Sequence, residues 1–105
     1  MKKFTWKKVE HRTGTDIGHS ASLLEWVGSD SVIFWGSVSL YPTPDWKYQF
    51  VAFPKDRNGL QTTDNPAATV FEAMDAVENF LYQQGVLLDE DEIVDEVCGG
   101  QTHTV

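Results

Sequence analysis

After Arg57 the chain contains no lysine or arginine. Residues 58–105 nevertheless carry ten carboxylates: Asp64, Glu72, Asp75, Glu78, Asp89, Glu90, Asp91, Glu92, Asp95 and Glu96. Residues 1–57 hold all eight basic residues against six acids, so the two parts carry −10 and +2 and sum to the net −8. Clustered Lys and Arg are what nucleic acids and anionic membranes select, and their shortage argues against either as a direct partner. A one-signed field over half a small protein attracts cationic surfaces instead.

Other absences narrow the reading further. Cys98 is the single cysteine, which excludes an internal disulfide and the scaffold of small secreted domains. Met1-Lys2-Lys3-Phe4 opens like the charged region of a signal peptide, but no apolar run of the needed length follows. There is no Asn-x-Ser/Thr sequon. The expected location is cytoplasmic.

Catalytic and ligand-binding motifs are also missing. His11, His19 and His103 occur without a nucleophile elbow, His-Glu-x-x-His or His-x-His spacing. Gly14-Thr15-Asp16-Ile17-Gly18 is too short for a phosphate loop and lacks its lysine. An EF-hand loop opening at Asp89 would meet Val94 and Gly100 where glycine and glutamate are required. Cys98 has acids beside it and a helix end behind it, which disfavour a thiolate. The expectation is a protein that is not an enzyme, with no cofactor and no metal site.

What the chain does have is material for a core. Apolar residues make up 41% and aromatics 12%, with Trp6, Trp26, Trp35 and Trp46 all in the first half. That is too much to bury for a disordered acidic chain, and 105 residues suffice for one domain. The whole of 1–105 is read as that domain, with a frayed tail at 101–105.

Period-two patterns predict four strands, Phe4–Val9, Ala21–Val27, Val32–Leu40 and Trp46–Phe53, separated by turns at 11–19, 28–31 and 41–45. In the third strand Val32, Phe34, Gly36, Val38 and Leu40 are assigned one face, and Ile33, Trp35, Ser37 and Ser39 the other. From Pro66 to Gln84 the period becomes helical, with Val70, Ala73, Met74, Val77, Phe80 and Leu81 on one arc. Asp64 or Asn65 is the expected N-cap and Gly85 the terminator. Asp89 and Glu92 have the form of a capping box, so a short acidic helix is expected to end at Gly99-Gly100. The fold class expected is α+β: a four-stranded antiparallel sheet, a long helix packed on one face, and the short acidic C-terminal helix.

One surface constellation remains. Phe71, Asp75, Glu78 and Tyr82 lie at i, i+4, i+7 and i+11 along the long helix, with Glu72 beside them. Together with Glu90, Asp91, Glu92, Asp95 and Glu96 they form the expected partner-binding surface. Aromatics would bury area there while carboxylates steer a partner with a basic, nucleic-acid-binding surface. The function expected is therefore an inhibitor acting by protein–protein interaction, a DNA mimic of the kind phages deploy in anti-CRISPR or anti-restriction roles, as monomer or homodimer. Two alternatives stand beside it. One is a structural or regulatory homo-oligomeric subunit using a sheet face of Ile33, Trp35, Val51 and Phe53. The other is a small enzyme built on the loop histidines.

Overall fold

The computed structural model describes residues 1–41, 45–56, 61–62, 67–97 and 102–103. They form a mixed α+β domain in which one helix crosses one twisted sheet. Strands β1 (Lys3–Thr13), β2 (Asp16–Trp26), β3 (Val32–Ser39), β4 (Phe50–Ala52) and β5 (Gln61–Thr62) follow one another as an antiparallel meander. Helix α1 (Val70–Gln83) then carries the chain back to the other side, where β6 (Glu92–Asp95) pairs parallel with β1. Strand β7 (Thr102–His103) pairs antiparallel with β6, giving the order β5-β4-β3-β2-β1-β6-β7. Since β5 and β7 are two residues each, five strands carry the sheet.

Cross-strand pairs fix the faces. Phe4 and Trp6 on β1, Ala21 and Leu23 on β2, Val38 on β3 and Phe50 and Ala52 on β4 are buried with Ala73, Met74, Val77 and Leu81 of α1. The helical arc read from the sequence therefore faces inward, with Val70 and Phe80 at its margins. Close approach of helix to sheet depends on Gly36: a Cβ there would lie 2.6 Å from Val77 Cγ1 and 2.9 Å from the Val51 carbonyl oxygen.

Three expectations change. The 11–19 segment is not a loop but the end of a long hairpin, β1 and β2 pairing down to Thr13 opposite Asp16 about Gly14-Thr15, with Gly14 at φ 63°. A bulge inserts Trp35 between Phe34, opposite Leu24, and Gly36, opposite Leu23, so Trp35 turns into the core and the strict alternation assigned to β3 breaks there. The third change concerns the C-terminal segment. Residues 92–95 form a strand, because Asp91, Ile93 and Asp95 alternate as buried residues and β-branched Ile93 and Val94 suit a ladder beside β1. Four strands and a second helix thus become a longer sheet and one described helix.

Helix α1 starts later than the sequence suggested. Thr69 is its N-cap: its hydroxyl accepts from the Glu72 N–H at 3.1 Å, and the Glu72 carboxylate accepts from the Ala68 N–H at 3.1 Å. The suggested caps Asp64 and Asn65, the Pro42–Pro44 turn and Cys98-Gly99-Gly100 lie outside the described residues. Gly85, at φ 75°, ends the helix as expected. The tail expected to fray contributes β7, so its Thr102 and His103 are held at the edge of the sheet.

Candidate functional site

The tryptophans sort the carboxylates. The Trp6 indole donates from Nε1 to Glu78 Oε2 at 2.9 Å across the helix–sheet junction, and both residues are buried. Trp35 Nε1 donates to Glu25 Oε1 and Trp26 Nε1 to Thr5 Oγ1, each at 2.9 Å. A buried indole N–H needs an acceptor, and two of these three acceptors are glutamates. Trp46 differs: it is 79% exposed and sits at φ 61° in the turn before β4.

Two aspartates act on the backbone. Asp91 Oδ1 accepts from the Lys2 N–H at 2.8 Å and its Oδ2 from the Leu88 N–H at 2.9 Å. Asp95 Oδ1 accepts from the Val97 N–H at 2.9 Å. Each is 3% exposed. Asp91 ties the turn after α1 to the start of β1, and the charge of the Lys2 side chain is spent on the Val86 carbonyl, to which its Nζ donates.

The ten residues assigned to a partner-binding surface are divided accordingly. Glu78, Asp91 and Asp95 are buried; Tyr82 and Glu92 are half-buried; Phe71, Glu72, Asp75, Glu90 and Glu96 are exposed. Phe71 stands 62% exposed on the first turn of α1. Asp89, outside that set, is exposed beside Glu90. Among the described residues Glu72, Asp75, Asp89 and Glu90 have no cationic group within ion-pair distance, whereas Glu10 pairs with Arg12 at 3.3 Å far along the hairpin.

The turn after α1 folds back over its last turns, and Tyr82 registers the result. Burial first, then the charges of Glu78, Asp89 and Asp91, push its phenol above the ordinary 10.0. Its hydroxyl oxygen is buried and makes no hydrogen bond among the described residues. Helix face and following turn thus share one negative region. Lys55 lies outside it, at the helix C-terminus, its N–H donating to Gln84 Oε1 at 3.2 Å.

A second feature lies where the start of β2, the end of β3 and the approach to β4 meet. Gly18, His19, Ser20, Ser37, Ser39, Tyr41, Gln49, Phe50 and Val51 line an open cleft of about 370 Å³. His19 Nδ1 is 2.9 Å from the Tyr41 hydroxyl, with ring centroids 5.6 Å apart. The sequence gives no signal for the pairing of His19 with Tyr41, since the Gly-containing segment around His19 has the composition of a turn although it forms part of β2. The sheet patch of Ile33, Trp35, Val51 and Phe53 is broken up: Trp35 is buried and Ile33 packs toward the core.

Among the described residues there is no group of three or more His, Cys, Asp or Glu able to hold a metal, and no helix long and apolar enough to cross a membrane. No family model, curated protein or solved structure matches the chain.

Proposed function

We propose that the protein is a small non-enzymatic binding protein whose outward carboxylates engage a basic protein surface, including one that otherwise holds nucleic acid. The observation that carries this reading is the exposed set Glu72, Asp75, Asp89 and Glu90 on α1 and the turn behind it, which meets no cation among the described residues, with Phe71 exposed on the same helix. Carboxylates at such spacing present to Lys and Arg what phosphates present, and an exposed aromatic adds contact area at low entropic cost. An inhibitor of an anti-CRISPR or anti-restriction kind, acting in the cytoplasm, is the form this takes. The interior acids Glu78, Asp91 and Asp95 serve the fold in this reading and drop out of the interface.

Affinity capture from the source cell at low and high salt tests it. Wild type is expected to retain a basic protein at low salt and release it at high salt. Asp75→Lys with Asp89→Lys and Glu90→Lys is expected to retain none, since exposed charges act collectively and are screened. Unchanged capture by that folded triple variant contradicts the proposal.

A second reading has one specific observation behind it: His19 and Tyr41 share the cleft, as a small enzyme using a histidine would need. It predicts that His19→Ala loses activity while folding normally, whereas the binding reading predicts no loss.

A further inference from the structure

Among the described residues, strand β1 is covered along only half its length. The Lys2 and Trp6 carbonyls accept from Glu92 and Glu96 N–H groups, each at 3.0 Å, so even-numbered residues of β1 turn their backbone groups away from β2. The pairing of Thr13 with Asp16 about a two-residue turn demands the same phase. Strand β6 occupies this edge from Lys3 to Trp6. Beyond Trp6 no described strand lies there, and the backbone N–H and C=O groups of Lys8, Glu10 and Arg12 face outward.

An open edge is a template for another strand, and proteins commonly guard it with like charges. Here the three side chains alternate in sign and are exposed. We propose that this edge pairs, antiparallel, with the same edge of a second copy of the chain. Three registers are available. Centred on Glu10, the pairing sets Glu10 against Glu10 and Lys8 against Arg12, repulsive at every outward position. Centred on Val9, it drives Arg12 of the second copy onto Trp6, where Asp95 and Glu96 already sit. Centred on His11, it sets Glu10 against Arg12 twice by symmetry and clears β6. In that register Glu10 and Arg12 of the two copies exchange both backbone hydrogen bonds, and the existing Arg12–Glu10 pair becomes a four-charge cluster. The symmetry is that of an isologous dimer.

A ribbon contact of this length buries less than the roughly 1,000 Å² of a stable interface, so the dimer is weak and forms only at high concentration. It uses no residue of the acidic surface, and its failure would leave the binding proposal untouched.

Sedimentation velocity of the full chain over a wide concentration range tests it. Wild type is expected to move from monomer to dimer. Glu10→Arg sets cations against Arg12 and is expected to weaken the dimer at least tenfold; adding Arg12→Glu to it restores complementarity and is expected to recover the dimer. Glu10→Pro removes only an outward N–H, so circular dichroism should be unchanged while dimerisation is lost. A wild type that stays monomeric at every concentration, or a Glu10→Arg or Glu10→Pro protein that dimerises as wild type does, overturns the proposal.

Discussion

Helix α1, with three carboxylates in 14 residues, and the segment 89–96, with six in eight, place them by different rules. On the helix Glu72 and Asp75 look outward and Glu78 alone turns in; along 89–96 Asp89, Glu90 and Glu96 are exposed, Glu92 is half-buried, and Asp91 and Asp95 are buried. The difference follows from geometry. A helix buries one arc, so a carboxylate goes inside only where a partner such as the Trp6 indole waits on that arc. Strand β6 and its approach bury alternate residues from Asp91 to Asp95, so the acids on that side go inward whatever their charge and must be satisfied there by backbone N–H groups. Charge counted along the sequence therefore overstates the charge available to a partner.

The comparison breaks first at Glu78. Glu78→Lys puts an ammonium against a donor indole in the core and is expected to cost about 3–5 kcal/mol, with Glu78→Gln, which keeps an acceptor for Trp6, costing far less. Equal urea midpoints for the two variants would place Glu78 outside the core. Next comes Gly36→Ala, which drives a methyl into Val77 and the Val51 carbonyl. An expected loss of about 1–3 kcal/mol measures how tightly α1 is pressed on the sheet. No loss would mean the helix can lift away.

Tyr82 sits between the two acidic regions and sharpens the contrast. Tyr82→Phe removes a buried hydroxyl that has no hydrogen-bond partner among the described residues and is expected to gain up to about 1 kcal/mol in thermal or urea unfolding. Its raised phenol holds the proton more tightly folded than unfolded. That contribution is therefore fully present below pH 10.0 and is lost as pH rises through the folded value, so the gain from Tyr82→Phe should widen on the alkaline side. A pH-independent difference would separate Tyr82 from the acids around it. Smallest of all, Asp75→Ala and Asp89→Ala should change stability by less than about 0.5 kcal/mol, as exposed unpaired charges do.

The parts of this structure legible in the sequence are those where one period dominates. The buried arc Ala73, Met74, Val77 and Leu81, the end of α1 at Gly85 and the existence of β1 to β4 could all be read from spacing. The segment 89–96 could not. Asp89 and Glu92 fit a helix start in form, and Ile93-Val94 alone cannot distinguish a helical from an extended backbone. What decides is a long-range fact, the open side of β1 between Lys3 and Trp6. The face of Trp35 is hidden for a similar reason, since a bulge shifts every later residue of a strand by one. Glu72, Asp75 and Glu90 are exposed, as their positions along the chain suggest, but Glu78, Asp91 and Asp95 are not separable from them without knowing which N–H groups lie opposite.

Glu90 and Asp91 are adjacent and chemically alike, which makes them the sharpest test of a fold that sorts its carboxylates into interior ties and outward charges. Urea unfolding of Glu90→Gln and Asp91→Asn applies the same change, carboxylate to amide, to both. Asp91→Asn can accept from the Lys2 or the Leu88 N–H through its one remaining oxygen but leaves the other donor opposed by an NH₂ group, and is expected to lose about 1–3 kcal/mol. Glu90→Gln is expected to stay within about 0.5 kcal/mol of wild type. Equal effects at the two positions would contradict the account.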